Sequence, residues 1–105
     1  LPGIDLKGVL YGLPFLKEAK TGNKPKDLGN KVIVIGGGNV AIDCAKSALR
    51  LGAKEVNVVC LESRDLSCDD AMPAHEWEIE DTEEEGIKIH TYLGPEKIVT
   101  SPQYQ

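Results

Sequence analysis

A chain of 105 residues suits one folded domain, and its 41% of hydrophobic residues is near the globular average, which excludes disorder of the whole chain. The formal net charge of -5 argues against nucleic acid or an anionic membrane as the main partner. No stretch approaches the roughly 18 apolar residues that a membrane helix needs, and no signal peptide is visible. The three cysteines have no CxxC spacing, so we expect reduced thiols in a cytoplasmic protein, without a disulfide framework or a zinc site.

Residues 1–30 are predicted to form a lead-in segment with one short helix. The first residue is Leu1 rather than Met, which suggests a piece of a longer protein or a processed chain. Pro14 suits the first turn of a helix that runs to about Lys20, because its missing N–H is not needed there. A polar loop rich in turn-forming residues follows this helix.

The central segment predicts a strand, a glycine turn, a helix and a second strand. The β-branched run over 31–35 favours a buried strand, and three consecutive glycines follow it. A helical pattern then extends from Val40 to Leu51, where Gly52 is placed to end it, and a second β-rich run covers 56–61. These elements form a βαβ unit with a right-handed crossover, so we predict a Rossmann-like α/β fold with three layers and a parallel sheet. A stripe of small residues lets the helix lie close to the sheet: Ala41, Ala45 and Ala48.

The last third of the chain continues the alternation of helix and strand. We expect the Rossmann-like NAD(P)-binding domain to cover 31–98 and a flexible tail to cover 99–105. The acidic run over 76–85 is typical of a solvated helix face. The elements expected here are a surface loop over 63–71, a helix from Pro73 to about Glu85 that Gly86 ends, a strand over 87–92 and a further short strand over 97–100.

The glycine turn carries the clearest functional signal, because residues 36–41 fit the pattern G-x-G-x-x-A. Gly36 permits a tight turn, Gly38 lets a pyrophosphate approach the backbone, and Ala41 keeps the helix near the strand. The helix then points its first N–H groups at the phosphate. A strand before the motif, a helix after it and a second strand about 20 residues on make up the context of a dinucleotide site. The alternative is a tight turn that binds nothing. The remaining positions are expected to supply or frame backbone donors: Gly37, Asn39 and Val40.

The end of the second strand predicts the choice between two cofactors. A carboxylate at Glu62 can accept hydrogen bonds from the adenosine ribose of NAD, and it repels the 2′-phosphate of NADP. Arg64 works in the opposite direction, since a guanidinium suits a phosphate. We therefore predict that Glu62, Ser63 and Arg64 select between NAD(H) and NADP(H), with NAD(H) favoured. The alternative is that Glu62 is an ordinary loop glutamate.

The other reactive side chains predict neither a catalytic group nor a metal site. His75 and His90 have no partner at metal spacing and are expected at the surface or in the core. Cys60 is expected to face the core, Trp77 to be a packing residue, and Cys44 has no base placed beside it by the sequence. Because no nucleophile–base pair and no acid–base carboxylate pair is visible, the predicted role is cofactor binding rather than bond chemistry.

Several segments together resemble one known family. They are residues 1–9, Phe15-Leu16, residues 31–45 and Met72-Pro73-Ala74. From Leu1 to about Ile98 the chain resembles the FAD-dependent pyridine-nucleotide oxidoreductases, especially the group of the glutamate synthase small (β) subunit. The reductase portion of dihydropyrimidine dehydrogenase is similar.

The resemblance implies that this NAD(P)-binding domain is inserted in an FAD-binding domain of the same parent chain. FAD and iron–sulfur clusters are then expected only in the full-length parent, where electrons pass from NAD(P)H to FAD and onward to an electron-acceptor subunit. NADPH-using members of the family carry a basic pair where this chain has Leu61 and Glu62. Arg64 matches a family arginine, and the loop before Met72 is longer than is usual in the family.

The leading hypothesis is therefore a pyridine-nucleotide-binding fragment that presents NAD(P)H to FAD in an oxidoreductase and is inactive alone. One alternative is a non-catalytic, NAD(H)-sensing Rossmann module. Another is a dehydrogenase domain whose substrate residues lie elsewhere. An upstream G-x-G-x-x-G motif and cysteine clusters in the parent reading frame would favour the flavoenzyme.

Overall fold

The computed structural model describes residues 2–6, 8–22, 28–63, 71–74 and 76–98. These residues alternate helix and strand as the sequence predicts. The elements are α1 (Gly12–Lys20), β1 (Lys31–Ile35), α2 (Asn39–Arg50), β2 (Glu55–Val59), α3 (Glu76–Glu84) and β3 (Lys88–His90).

The three strands form one parallel sheet in the order β1-β2-β3. Val34 lies opposite Val58 in the first ladder, and Val58 lies opposite Ile89 in the second. Because both pairs of neighbouring strands are parallel, the carboxyl ends of all three strands lie at one edge of the sheet. The prediction of a Rossmann-like α/β fold with a parallel sheet is confirmed.

The main core lies between the sheet and α2. Alternate residues of the strands point to this face, and the buried pair Val56 and Val58 packs against Ala45 and Ala48 of α2. Small side chains there allow the close approach that the alanine stripe predicts. From the lead-in segment, Phe15 joins the same cluster, as does Leu28. The boundary at residue 30 stays a prediction, although the two parts share one core.

A second core cluster supports the carboxyl edge of the sheet. Ile42 of α2 and Ile79 of α3 are almost fully buried in it, together with Cys60, Met72 and Ala74. Removal of apolar side chains from water at about 25 cal/mol per Å² is the main force holding these segments together. The chain just after β2 is therefore held in place by the packing of Cys60 in this cluster.

Of the three layers expected, the described residues build two. The sheet residues that point away from α2 include Ile33 and Ile35, whose exposed fractions are 67% and 50%. Helices α1 and α2 both belong to the covered side, since Phe15 and Leu16 pack in the cluster that contains Val32 and Val34. No described element lies over the opposite face.

The helices begin close to the predicted residues, with one clear difference. Helix α1 starts at Gly12 and carries Pro14 in its first turn, as expected. Helix α3 starts at Glu76 rather than at Pro73. The reason is that Met72 and Ala74 are buried in the second core cluster, so this segment anchors the chain before the helix begins. Gly52 and Gly86 follow α2 and α3 with positive φ values of 108° and 96°, as residues that end helices often do.

Two of the three strands are shorter than predicted at their carboxyl ends. β2 ends at Val59 rather than at residue 61, and β3 ends at His90 rather than at residue 92. The prediction of a fourth strand over 97–100 is wrong for residues 97 and 98, which are not in a strand. The Ile98 N–H donates to the Pro2 carbonyl at 2.8 Å, so it bonds to the N-terminal turn instead of a strand. Residues 99 and 100 lie outside the described residues.

Trp77, which is predicted to be a packing residue, is not part of the buried core. Its exposed fraction is 66%. Helix α3 buries Ile79 and Thr82, which are three residues apart and share one face, and Trp77 lies on the other side. The Thr82 hydroxyl donates to the Glu78 carbonyl at 2.6 Å, which satisfies this buried polar group within the helix.

An ion pair joins α2 to α3. Lys46 Nζ lies 2.6 Å from Asp81 Oδ2 and 3.8 Å from Glu85 Oε2, and the Lys46 side chain is only 13% exposed. We expect Asp81→Asn to lower the free energy of unfolding by up to about 1 kcal/mol in dilute buffer, and by less in concentrated salt. Urea unfolding at two salt concentrations measures this. Glu80→Gln removes the same charge from α3 without an ion pair among the described residues, and an equal loss there would contradict the prediction.

Candidate functional site

The glycine turn (residues 36–38) leads from β1 into α2 at the carboxyl edge of the sheet. The Gly36 N–H donates to the Val59 carbonyl at 2.9 Å, which continues the ladder one residue beyond the strand. Gly36 has φ 139°, a value that side-chain-bearing residues rarely adopt. A Cβ there would also stand 3.3 Å from the Ala41 Cβ. Both observations agree with the tight turn and the close packing that the motif requires.

Gly38 is the N-cap residue of α2, and its carbonyl accepts the Ile42 N–H at 3.1 Å. No side chain caps the helix, and no acidic residue lies in its first turn. Asn39 and Val40 are exposed there. The first N–H groups of a helix have no partners within it and carry its positive dipole end. This geometry can accept an anion at the glycine turn.

Glu62 reaches the glycine turn from the other side. A Cβ placed on Gly37 would stand 3.2 Å from both the Cδ and the Oε1 of Glu62. The sheet brings these two residues together because β1 and β2 are parallel neighbours and both end at this edge. A carboxylate therefore lies beside the uncapped start of α2, as the motif spacing predicts.

Ser63 is buried and belongs to the same stretch of chain. Its carbonyl accepts the Met72 N–H at 2.9 Å, and it forms an isolated parallel bridge with Ala71. Arg64, the third residue predicted to select the cofactor, lies outside the described residues, as do Cys68 and His75. Eight of the nine predicted site residues thus lie in the described part of the chain, and of the three after β2 it is Glu62 that the structure places at the glycine turn.

The segment after β3 is a part of the site that the sequence analysis missed. The Leu93 N–H donates to the Cys60 carbonyl at 3.0 Å, and the Tyr92 N–H donates to the Glu62 carbonyl at 3.4 Å. Tyr92 has φ 57°, which is uncommon for a residue with a side chain. These bonds hold residues 60–62 in place. The parallel order of strands is the signal that would have found them, since it places the end of β3 beside the end of β2.

The two described cysteines are structural. Cys44 and Cys60 are buried, and their thiols donate weakly to the carbonyls of Gly12 at 3.6 Å and Glu62 at 3.8 Å. Burial raises the pKa of both thiols, and the neighbouring carboxylates of Asp43 and Glu62, respectively, raise it further. A raised pKa leaves less of the nucleophilic thiolate at neutral pH.

Of the two histidines, only His90 lies among the described residues. The exposed His90 ring is 2.9 Å from the Asn57 side-chain oxygen, on the open face of the sheet. The described residues contain no group of three or more His, Cys, Asp or Glu side chains that could hold a metal ion. No helix in the same residues is long and apolar enough to cross a bilayer.

Comparison with known proteins agrees with this geometry. Residues 1–105 match the family described as pyridine nucleotide-disulphide oxidoreductase. The chain belongs to this family.

Three curated relatives are similar to this chain over most of its length. The NADP(+)-dependent formate dehydrogenase subunit beta of Moorella thermoacetica is 42% identical over 88% of the chain. The NADPH-Fe(3+) oxidoreductase subunit beta of Geobacter sulfurreducens is 40% identical over 94%. The glutamate synthase (NADPH) small chain of Escherichia coli is 33% identical over 87%.

The chain corresponds to a small part of these family members. It covers 12%, 14% and 20% of their respective lengths. Among solved structures, the NADH-bound water-forming NADH oxidase of Lactobacillus brevis shares the fold, with a TM-score of 0.61 and 16% identity over 98% of this chain and 22% of that one. The resemblance to pyridine-nucleotide oxidoreductases, including the glutamate synthase small subunit, is confirmed.

Proposed function

We propose that this chain is the pyridine-nucleotide-binding part of a larger flavin-dependent oxidoreductase, where it presents NAD(P)H for hydride transfer to FAD. The FAD is held by an FAD-binding domain of the same parent chain, and an electron-acceptor subunit takes the electrons onward. One observation carries the proposal: the side-chain-free glycine turn, the uncapped start of α2 and the Glu62 carboxylate lie together at one sheet edge. The relatives support it, since their names specify a formate dehydrogenase, an NADPH-Fe(3+) oxidoreductase and a glutamate synthase, the first two as a subunit beta and the third as a small chain.

The residues present fit a pyridine dinucleotide. A Cβ on Gly38 would meet no described atom closer than the Pro73 Cγ at 3.7 Å, so the missing side chain leaves open space at the helix start. The pyrophosphate would lie there, held by backbone N–H groups of the turn and the first turn of α2. Glu62 would accept hydrogen bonds from the adenosine ribose. The bound nicotinamide supplies the hydride, and this chain holds and orients it.

We propose further that the chain prefers NAD(H) to NADP(H). The names of the three relatives specify NADP(+) or NADPH, so the preference proposed here differs from what those names state. The argument rests on the negative charge of Glu62 at the glycine turn, which the 2′-phosphate of NADP(H) would have to approach. Like charges a few ångströms apart repel each other most strongly where protein excludes water.

Titration of the purified chain with NAD(H) and NADP(H), followed by NMR, tests the proposed function. We expect weak binding, with shifts concentrated at the glycine turn and at residues 60–63. We also expect no flavin absorbance, and no NADH oxidation without added flavoprotein. Absence of shifts with both dinucleotides, or a yellow protein that oxidises NADH alone, would contradict the proposal. In the parent protein, NADH should reduce the flavin, whereas an NAD(H)-sensing module would bind NADH and leave the flavin oxidised.

A further inference from the structure

The middle position of the glycine motif has no assigned side-chain requirement, yet the structure leaves little room there. A Cβ on Gly37 would stand 3.2 Å from three atoms: the Cys60 Cβ, the Glu62 Cδ and the Glu62 Oε1. Such a distance is shorter than an ordinary van der Waals contact between heavy atoms. Gly37 is itself buried, so a side chain at this position has no free path into solvent.

The backbone of Gly37 does not explain why a glycine is present. Its φ is not among the positive values found for Gly36 and other glycines of the chain, so an alanine could adopt this conformation. The requirement comes instead from the two side chains that a Cβ would meet at 3.2 Å, those of Cys60 and Glu62. This distinguishes Gly37 from Gly36, where the backbone conformation itself favours glycine.

The two neighbours of Gly37 differ in how easily they can move. Cys60 is 2% exposed, belongs to the second core cluster, and donates its N–H to the His90 carbonyl at 3.0 Å. The backbone of Glu62 is bonded to Tyr92, but its carboxylate is the far end of a flexible side chain. An added methyl group at position 37 would therefore displace the Glu62 carboxylate most readily, whereas its contact with the Cys60 Cβ is relieved only by a shift of a few tenths of an ångström in the turn itself.

We propose that Gly37 is a specificity-determining positioning residue. Its missing side chain lets the Glu62 carboxylate lie against the glycine turn, and from there the carboxylate favours NAD(H) over NADP(H). The inference rests on the proposed function, since it assigns a role within the same dinucleotide site. Gly37 acts through Glu62, and the ratio of the two dissociation constants is the quantity that it controls.

A double-mutant cycle tests the inference, with dissociation constants for NAD⁺ and NADP⁺ measured by calorimetry at one ionic strength. The variants are Gly37→Ala, Glu62→Gln and the double variant. We expect Gly37→Ala to lower the ratio of the NADP⁺ constant to the NAD⁺ constant by about threefold or more, a coupling usual for residues in contact. In the Glu62→Gln background, the same substitution should change both constants by one common factor. Gly29→Ala is the matched control, because a Cβ on Gly29 meets nothing within 4 Å.

Each outcome separates this inference from the proposed function. If the unaltered chain binds neither dinucleotide, the proposed function fails and the inference fails with it. If it binds them but Gly37→Ala leaves the ratio unchanged, or changes it equally without the Glu62 carboxylate, only the role of Gly37 is overturned. Should Gly37→Ala bind too weakly to measure, Glu62→Asp decides, because the shorter side chain withdraws the carboxylate from an intact turn. An unchanged ratio in Glu62→Asp also overturns the inference.

Discussion

Replacement of Gly38 by valine is expected to weaken the binding of NAD(H) by more than about 100-fold, or about 2.7 kcal/mol. The two γ-methyl groups would fill the space at the start of α2 where the pyrophosphate approaches the backbone. The fold should tolerate them. Gly38 has an extended conformation, with φ -94° and ψ -175°, and a Cβ there meets Pro73 only at an ordinary contact distance of 3.7 Å. Loss of glycine at an N-cap lowers the stability by about 1 kcal/mol or less.

NMR titration of both proteins with NADH measures this effect, and urea unfolding checks the stability. Gly29→Val is the control, since position 29 is exposed, has open space around it and lies before β1, at the opposite edge of the sheet. Equal chemical-shift changes in the Gly38→Val variant and the unaltered chain would show that the dinucleotide does not bind at the glycine turn. A variant that does not fold would instead show that Gly38 has a structural role.

Glu62→Arg is expected to shift the preference from NAD(H) towards NADP(H) by about tenfold or more. Hydrogen bonds to a charged group contribute about 1.5–3 kcal/mol. The substitution removes the carboxylate that would accept such bonds from the ribose hydroxyls of NAD(H). A guanidinium at the same place can pair with the 2′-phosphate. Arg64 is expected to act in the opposite direction in the unaltered chain. We expect the carboxylate to have the larger effect, because its Oε1 is 3.2 Å from the Cβ position of Gly37, at the turn itself.

Dissociation constants for both dinucleotides at one ionic strength measure the ratio. Glu84→Arg makes the same change of charge at the end of α3, which precedes β3 and lies at the opposite edge of the sheet. That control measures how much the change in net charge alone alters the binding of both anionic dinucleotides. If the unaltered chain prefers NADP(H), or if Glu62→Arg leaves the ratio where it was, Glu62 has no part in selection. The choice would then lie with Arg64 or with the long loop before Met72.

The elements with strong local signals were predictable from the sequence. β1 follows from an uninterrupted β-branched run, and α2 follows from a small-residue stripe between a glycine turn and Gly52. The proximity of Glu62 to the turn was also predictable, since two parallel neighbouring strands must end at the same edge. These features depend on residues close together in sequence, or on a single crossover.

The rest depended on contacts between distant residues. The helix pattern at Pro73 did not reveal that Met72 and Ala74 are buried anchors, because their partner Ile42 is 30 residues away in the sequence. The support of residues 60–62 by Tyr92 and Leu93 involves backbone groups, which the amino-acid sequence does not specify. The exposure of Trp77 could not be read from a helix whose charged residues surround it on both sides.

The contact between Pro2 and Ile98 has a mechanical consequence for the proposed parent protein. The Ile98 N–H bonds to the Pro2 carbonyl, and a Cβ on Gly3, which has φ 88°, would clash with the Ile98 carbonyl oxygen. In the proposed parent, the chain would therefore enter and leave this unit at one point, with a glycine where the two segments touch. An inserted unit that is joined to its parent at a single point can rotate as a rigid body about that point. A bound nicotinamide could then swing towards the flavin and away from it, without any change inside the dinucleotide site.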